Sequence, residues 1–88
     1  MKLILTIISD SDADPVSQAL IVGGFRVTRI ASTGGFFRRG STTLMIGVAN
    51  EQVEAAIDVL RKSVSPAPET GMKRATLFVL NVEHFSQI

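Results

Sequence analysis

The segment Thr33-Gly34-Gly35-Phe36-Phe37-Arg38-Arg39-Gly40-Ser41 gathers the residue types in this chain that point most directly to chemistry. Three glycines permit backbone conformations in which successive N–H groups converge on an anion. Two arginines offer fork-shaped donors matched to phosphate, and two phenylalanines offer faces on which a base can stack. Phosphate and base recognition need such groups together. The same composition also describes a long hairpin turn with its aromatics packed and its arginines solvated. It is not a P-loop, because no Gly-Lys-Ser/Thr ending and no helix follow it. Arg26 and Thr28 share a strand face just before the segment, and Thr42 and Thr43 follow it, so donors flank the glycines on both sides. Gly47 lies inside a strand that it weakens, which marks close approach by another backbone or a ligand.

Candidates for catalysis are few. His84 is the one histidine, and beside Phe85 it reads as a solvated or packing residue. Asp10, Asp12 and Asp14 resemble the start of a calcium loop. The twelfth position counted from Asp10 is Ile21, where such a loop needs glutamate, so helix capping accounts for them better. The chain has no cysteine, which removes thiolate nucleophiles, disulfides and cysteine-based zinc sites and fits a reducing compartment. A binding protein is expected, with neither enzymatic activity nor a cofactor or metal.

Nine Lys plus Arg against eight Asp plus Glu give a formal charge of +1, too balanced for a dedicated nucleic-acid surface. Hydrophobic residues form 45% of the chain, yet no apolar run approaches the ~20 residues of a membrane helix. Met1-Lys2 leads directly into a strand pattern rather than a leader. A soluble cytoplasmic protein without membrane insertion is the expectation. Eighty-eight residues hold one core, so residues 1–88 read as a single domain.

The elements that must position the glycine segment follow from periodicity. Lys2 to Ser9 is nearly continuous aliphatic sequence, as in a central strand buried on both faces. Asp10 to Pro15 offers N-caps and a first-turn proline, Val16, Ala19 and Leu20 continue at helical spacing, and Gly23-Gly24 closes the helix. In the strand Phe25 to Ser32, Phe25 and Val27 take one face and Arg26, Thr28 and Ile30 the other. Thr42 to Val48 is a third strand, with Leu44, Ile46 and Val48 on one face and Thr43, Met45 and Gly47 on the other. Asn50 caps a second helix whose Val53, Ile57, Leu60 and Val64 form an apolar stripe. Ser65 to Gly71 is an exposed loop, and Arg74 to Val82 a fourth strand.

The order β-α-β-β-α-β implies an α+β, ferredoxin-like domain. Its four-stranded antiparallel sheet has the first and third strands central and two helices on one face. The other face has no helix to cover it, so self-association through that face is expected.

The run Gly24-Phe25-Arg26-Val27-Thr28, then Thr33-Gly34-Gly35-Phe36-Phe37-Arg38 to Gly40-Ser41-Thr42-Thr43-Leu44 and Ile46-Gly47-Val48, resembles the PII-like cyclic-di-AMP receptor proteins of bacteria. Further likeness extends from Met1-Lys2-Leu3-Ile4 to Ala75-Thr76-Leu77-Phe78-Val79-Leu80 and Val82-Glu83-His84-Phe85. The resemblance implies a signal-transduction receptor that forms a PII-like homotrimer. One cyclic dinucleotide would sit in each cleft between subunits, with no catalytic step, and a downstream protein of unidentified type would receive the signal.

Carried over by position, it places Arg26 and Thr28 at the ligand phosphates. Gly35, Phe36, Phe37 and Ser41 fall at an adenine pocket, Gly47 leaves room for it, and Gly71, Phe78 and Gln87 form the neighbouring wall. Two residues depart from the family's habit: Ser41 replaces the usual asparagine and Phe37 the usual leucine. The loop from Ser65 to Met72 is also much shorter than the family's long loop, whose movement is held to transmit the signal. These departures keep a PII-like sensor of ATP or another cyclic dinucleotide, or a structural or protein-interaction trimer, as alternatives.

Overall fold

The computed structural model describes residues 1–32, 40–65 and 74–88. Their element order is β1 (Lys2–Ser9), α1 (Asp10–Val22), β2 (Arg26–Ser32), β3 (Ser41–Val48), a short 3-10 turn (Asn50–Gln52), α2 (Val53–Ser63) and β4 (Ala75–Asn81). The four strands form one antiparallel sheet in the order β2-β3-β1-β4, so β1 and β3 are central as the sequence pattern requires. This is the ferredoxin-like α+β arrangement.

Strand parity decides what the sheet buries. Ile4, Thr6 and Ile8 of β1 and Thr42, Leu44, Ile46 and Val48 of β3 are buried on one face. They pack with Val16 and Leu20 of α1 and with Ala56, Leu60 and Val64 at α2. On the other face the described residues cover β1 less: Leu3 and Leu5 are half-buried and Ile7 is 40% exposed. The first strand is therefore central, as expected, and among the described residues it is fully buried on one face only. At the edge, Phe78 and Leu80 of β4 are 53% and 44% exposed on the same open face.

Four local readings of the sequence are also corrected. The N-cap of α1 is Ser9, whose Oγ accepts from the Ser11 N–H at 3.3 Å, while Asp10 and Asp12 lie inside the first turn. A hydroxyl one residue earlier thus takes the role assigned to the aspartates. Pro15 is the sixth helical residue, one turn further in than expected, and cannot donate to the Ser11 carbonyl. Asn50 opens the 3-10 turn instead of capping α2, and the Gln52 side chain accepts from the Ala49 N–H at 3.4 Å.

In β2 a register shift between Arg29 and Ala31 breaks the alternation, so Ala31 rather than Ile30 faces Thr43. Ile30 is half exposed at this bulge.

The end of α1 follows its glycines. Gly24 adopts φ +90°, the Gly24 N–H donates to the Ile21 carbonyl at 2.9 Å, and the Phe25 N–H donates to the Leu20 carbonyl at 2.9 Å. That pair of bonds is a Schellman motif, and Phe25 packs against the core that contains Leu20. The motif turns the chain sharply enough for Arg26 to begin β2 at the sheet edge.

Candidate functional site

Two cross-strand rows run over the open face. Arg26 faces Gly47, which faces Leu3, which faces Leu80; Thr28 faces Met45, then Leu5, then Phe78. Adjacent strands lie about 4.8 Å apart, so each row starts polar at the β2 edge and ends apolar at the β4 edge. Arg26 and Thr28 are exposed, and no described carboxylate pairs with Arg26. The neighbouring Arg29 points to the helix layer, where its guanidinium donates to Asp14 Oδ1 at 2.7 Å and ties β2 to α1. Alternation thus leaves Arg26 as the arginine of this strand open to an anion.

Gly47 lies directly across the ladder from Arg26. A Cβ built there would meet the Met1 Cε at 3.0 Å, with no other heavy atom of the described residues as a close neighbour. Among the described residues, the group approaching Gly47 is thus the end of a methionine side chain. Met1, Gly47 and Val48 also line a shallow cleft that continues to Ala49, Asn50, Glu51 and Gln52.

Ser41, half-buried, begins β3 opposite Ser9, on the same side of the sheet as Thr43, Met45 and Gly47. Thr42 behaves differently from the sequence reading, which counted it among the donors flanking the glycines. It is 3% exposed on the helix side, and its Oγ1 donates to Asp10 Oδ1. It shares parity with Leu44, Ile46 and Val48, and that signal alone would have removed it from the ligand face.

Arg26, Thr28, Gly47 and Ser41 are therefore brought to one sheet face along β2 and β3. Phe78 shares the face but occupies the opposite edge strand, three strand spacings or roughly 14 Å away. One chain does not bring it beside Arg26. Gln87 is exposed in the irregular stretch after β4. Gly35, Phe36, Phe37 and Gly71 lie outside the described residues. Among the described residues no cluster of three or more His, Cys, Asp or Glu side chains could hold a metal ion, and no helix is long and apolar enough to cross a membrane.

Residues 1–70 match the family model described as cyclic-di-AMP receptor. The chain belongs to that family. The matched span contains the whole Arg26-to-Gly47 region and ends before Gly71, Phe78 and Gln87. Among solved structures, this family member is similar to a functionally unknown protein from Pediococcus pentosaceus ATCC 25745. The two are 32% identical with a TM-score of 0.82, over 99% of this chain and 96% of that one.

Sequence reasoning missed the long-range ties made by the first turn of α1. Asp10, Asp12 and Ser65 make long-range hydrogen bonds that no local motif announces. The surviving signal was an excess of aspartates over what one helix cap needs.

Proposed function

We propose that this protein is a signal-transduction receptor that binds cyclic-di-AMP between the subunits of a homotrimer in the cytoplasm and catalyses no reaction. Family membership supports the ligand class. The observation that carries the placement is the Arg26–Gly47 pair, a cation with no described carboxylate partner beside a residue without a side chain, on the sheet face that no described helix covers.

Arg26 and Thr28 would donate to the phosphates and fix the ligand's orientation, as charged and hydroxyl donors do for phosphates generally. Gly35, Phe36 and Phe37 would supply an adenine pocket in which stacking contributes roughly 1–3 kcal/mol per base. Ser41 would meet an adenine edge, and Gly47 would admit the ring. Phe78, with Gly71 and Gln87, would come from the adjoining subunit. The ~14 Å between sheet edges favours this split, because it leaves Phe78 remote from Arg26 within one copy. The exposed row of Ile7, Phe78 and Leu80 gives the copies an apolar surface to share.

A second reading, a PII-like sensor of ATP or another cyclic dinucleotide, draws on Ser41 in place of the family's usual asparagine. Thermal unfolding of the purified protein with cyclic-di-AMP, cyclic-di-GMP and ATP separates the two, since a ligand bound only by the native state raises its apparent stability. The account expects cyclic-di-AMP to give the largest rise. A rise with ATP or cyclic-di-GMP alone would transfer the assignment to that ligand.

A further inference from the structure

The first turn of α1 holds the chain at two distant places. The Asp10 N–H donates to the Gly40 carbonyl at 3.1 Å, and Thr42 Oγ1 donates to Asp10 Oδ1. Two residues later, Asp12 is only 5% exposed. Its carboxylate accepts from the Ser65 N–H, at 3.3 Å to each oxygen, and from Ser65 Oγ. A carboxylate buried this far is costly unless hydrogen-bonded, and among the described residues its long-range donors come from one residue 53 positions away. Asp12 therefore pins Ser65 to the helix start. Gly40 stands immediately after residues 33–39, with Thr42 two positions on, and Ser65 stands immediately before residues 66–73.

We infer that Asp10 and Asp12 are positioning residues that link the Ser41 side of one nucleotide site to Ser65, which precedes the segment given above to a neighbouring site, so that a displacement of Gly40–Thr42 is passed to Ser65 through a single helical turn. Asp10, Ser11 and Asp12 move together because α1 continues to Val22 and is locked into the core by Val16 and Leu20. The ligand-dependent part rests on the binding function proposed above; the mechanical part does not.

Amide hydrogen exchange, read residue by residue by NMR, tests both parts, since it reports local opening as well as global unfolding. Thr42→Val removes the hydroxyl and keeps the shape, whereas Thr42→Ser keeps the hydroxyl. Without ligand, exchange of the Ser65 amide is expected to rise roughly 5- to 10-fold in Thr42→Val, a size typical of coupling between sites, and to stay near wild type in Thr42→Ser. Exchange of the Leu44 amide, inside the ladder, should stay unchanged. Equal Ser65 exchange in wild type and Thr42→Val, or equal acceleration at Leu44, overturns the inference.

Coupling is reciprocal, so Ser65→Ala, a change at an exposed residue, should accelerate exchange of the Asp10 amide; no change there overturns the inference as well. Saturating cyclic-di-AMP should slow Ser65 exchange in wild type and slow it less in Thr42→Val. Equal slowing in both contradicts the inference. If wild type binds no cyclic-di-AMP, the binding function falls, while the ligand-free comparison still decides the mechanical coupling.

Discussion

Arg26 is the charged residue in the two open-face rows, and its environment is what makes it useful. Its neighbour across the ladder is a glycine, and the other arginine of its strand is already engaged by Asp14. Ser41 is the informative position beside it. If the family's usual asparagine hydrogen-bonds an adenine there, Ser41→Asn should tighten cyclic-di-AMP binding by roughly 2- to 10-fold, the worth of one neutral hydrogen bond. Fluorescence titration of both proteins measures it, and weaker binding in the variant would place the adenine elsewhere. Phe36→Ala should weaken binding by roughly 5- to 100-fold through lost stacking while leaving the oligomer unchanged. Affinity equal to wild type would remove Phe36 from the pocket. Thr42 shows how residue type can mislead: a hydroxyl next to the glycines looked like a donor for the ligand, but its parity directs it to Asp10 and the core.

At the scale of elements, Gly24 illustrates a feature legible in advance, because a helix ending in Gly-Gly before an aromatic needs a left-handed residue and gets one at φ +90°. Gly24→Ala should cost about 1–2 kcal/mol of stability. For a domain of this length that amounts to a fall of roughly 4–16 °C in Tm, and calorimetry at fixed protein concentration reads it. An unchanged Tm would mean the Schellman turn is not maintained in solution.

The strands were readable for the same kind of reason: Leu44, Ile46 and Val48 alternate with smaller or polar residues, and Val53, Ile57, Leu60 and Val64 recur at helical spacing. What escaped was set by competition between neighbours of equal aptitude or by distant partners. Ser9 outcompeted Asp10 as the cap because Asp10 is drawn to Thr42 and Gly40, contacts that exist only after the sheet has formed. The bulge between Arg29 and Ala31 leaves no mark in composition, since it is a matter of register with β3. Of the candidate site, Arg26, Thr28 and Gly47 could be grouped by strand parity. Their separation from Phe78 could not, because it depends on the strand order.

The whole molecule presents one finished face and one unfinished one. Helices cover Ile4, Ile8, Leu44 and Ile46, while Leu3, Leu5, Ile7, Phe78 and Leu80 have no described helix above them. If copies meet there, Leu5→Glu should disperse the oligomer, because burying an unpaired carboxylate in an apolar interface costs several kcal/mol. Analytical ultracentrifugation at micromolar concentration reads this directly. A wild-type protein that sediments as a sharp monomer would contradict self-association outright.

The claim on which the functional account turns is that Arg26 meets the phosphates of a cyclic dinucleotide held by the assembled protein. Isothermal titration of cyclic-di-AMP into wild type and Arg26→Ala tests it most directly. The account predicts saturable binding of one ligand per subunit, weakened on the order of 10- to 100-fold by the substitution, as the loss of a charged hydrogen bond implies. No saturable heat with wild type, or the same affinity in both proteins, would contradict it.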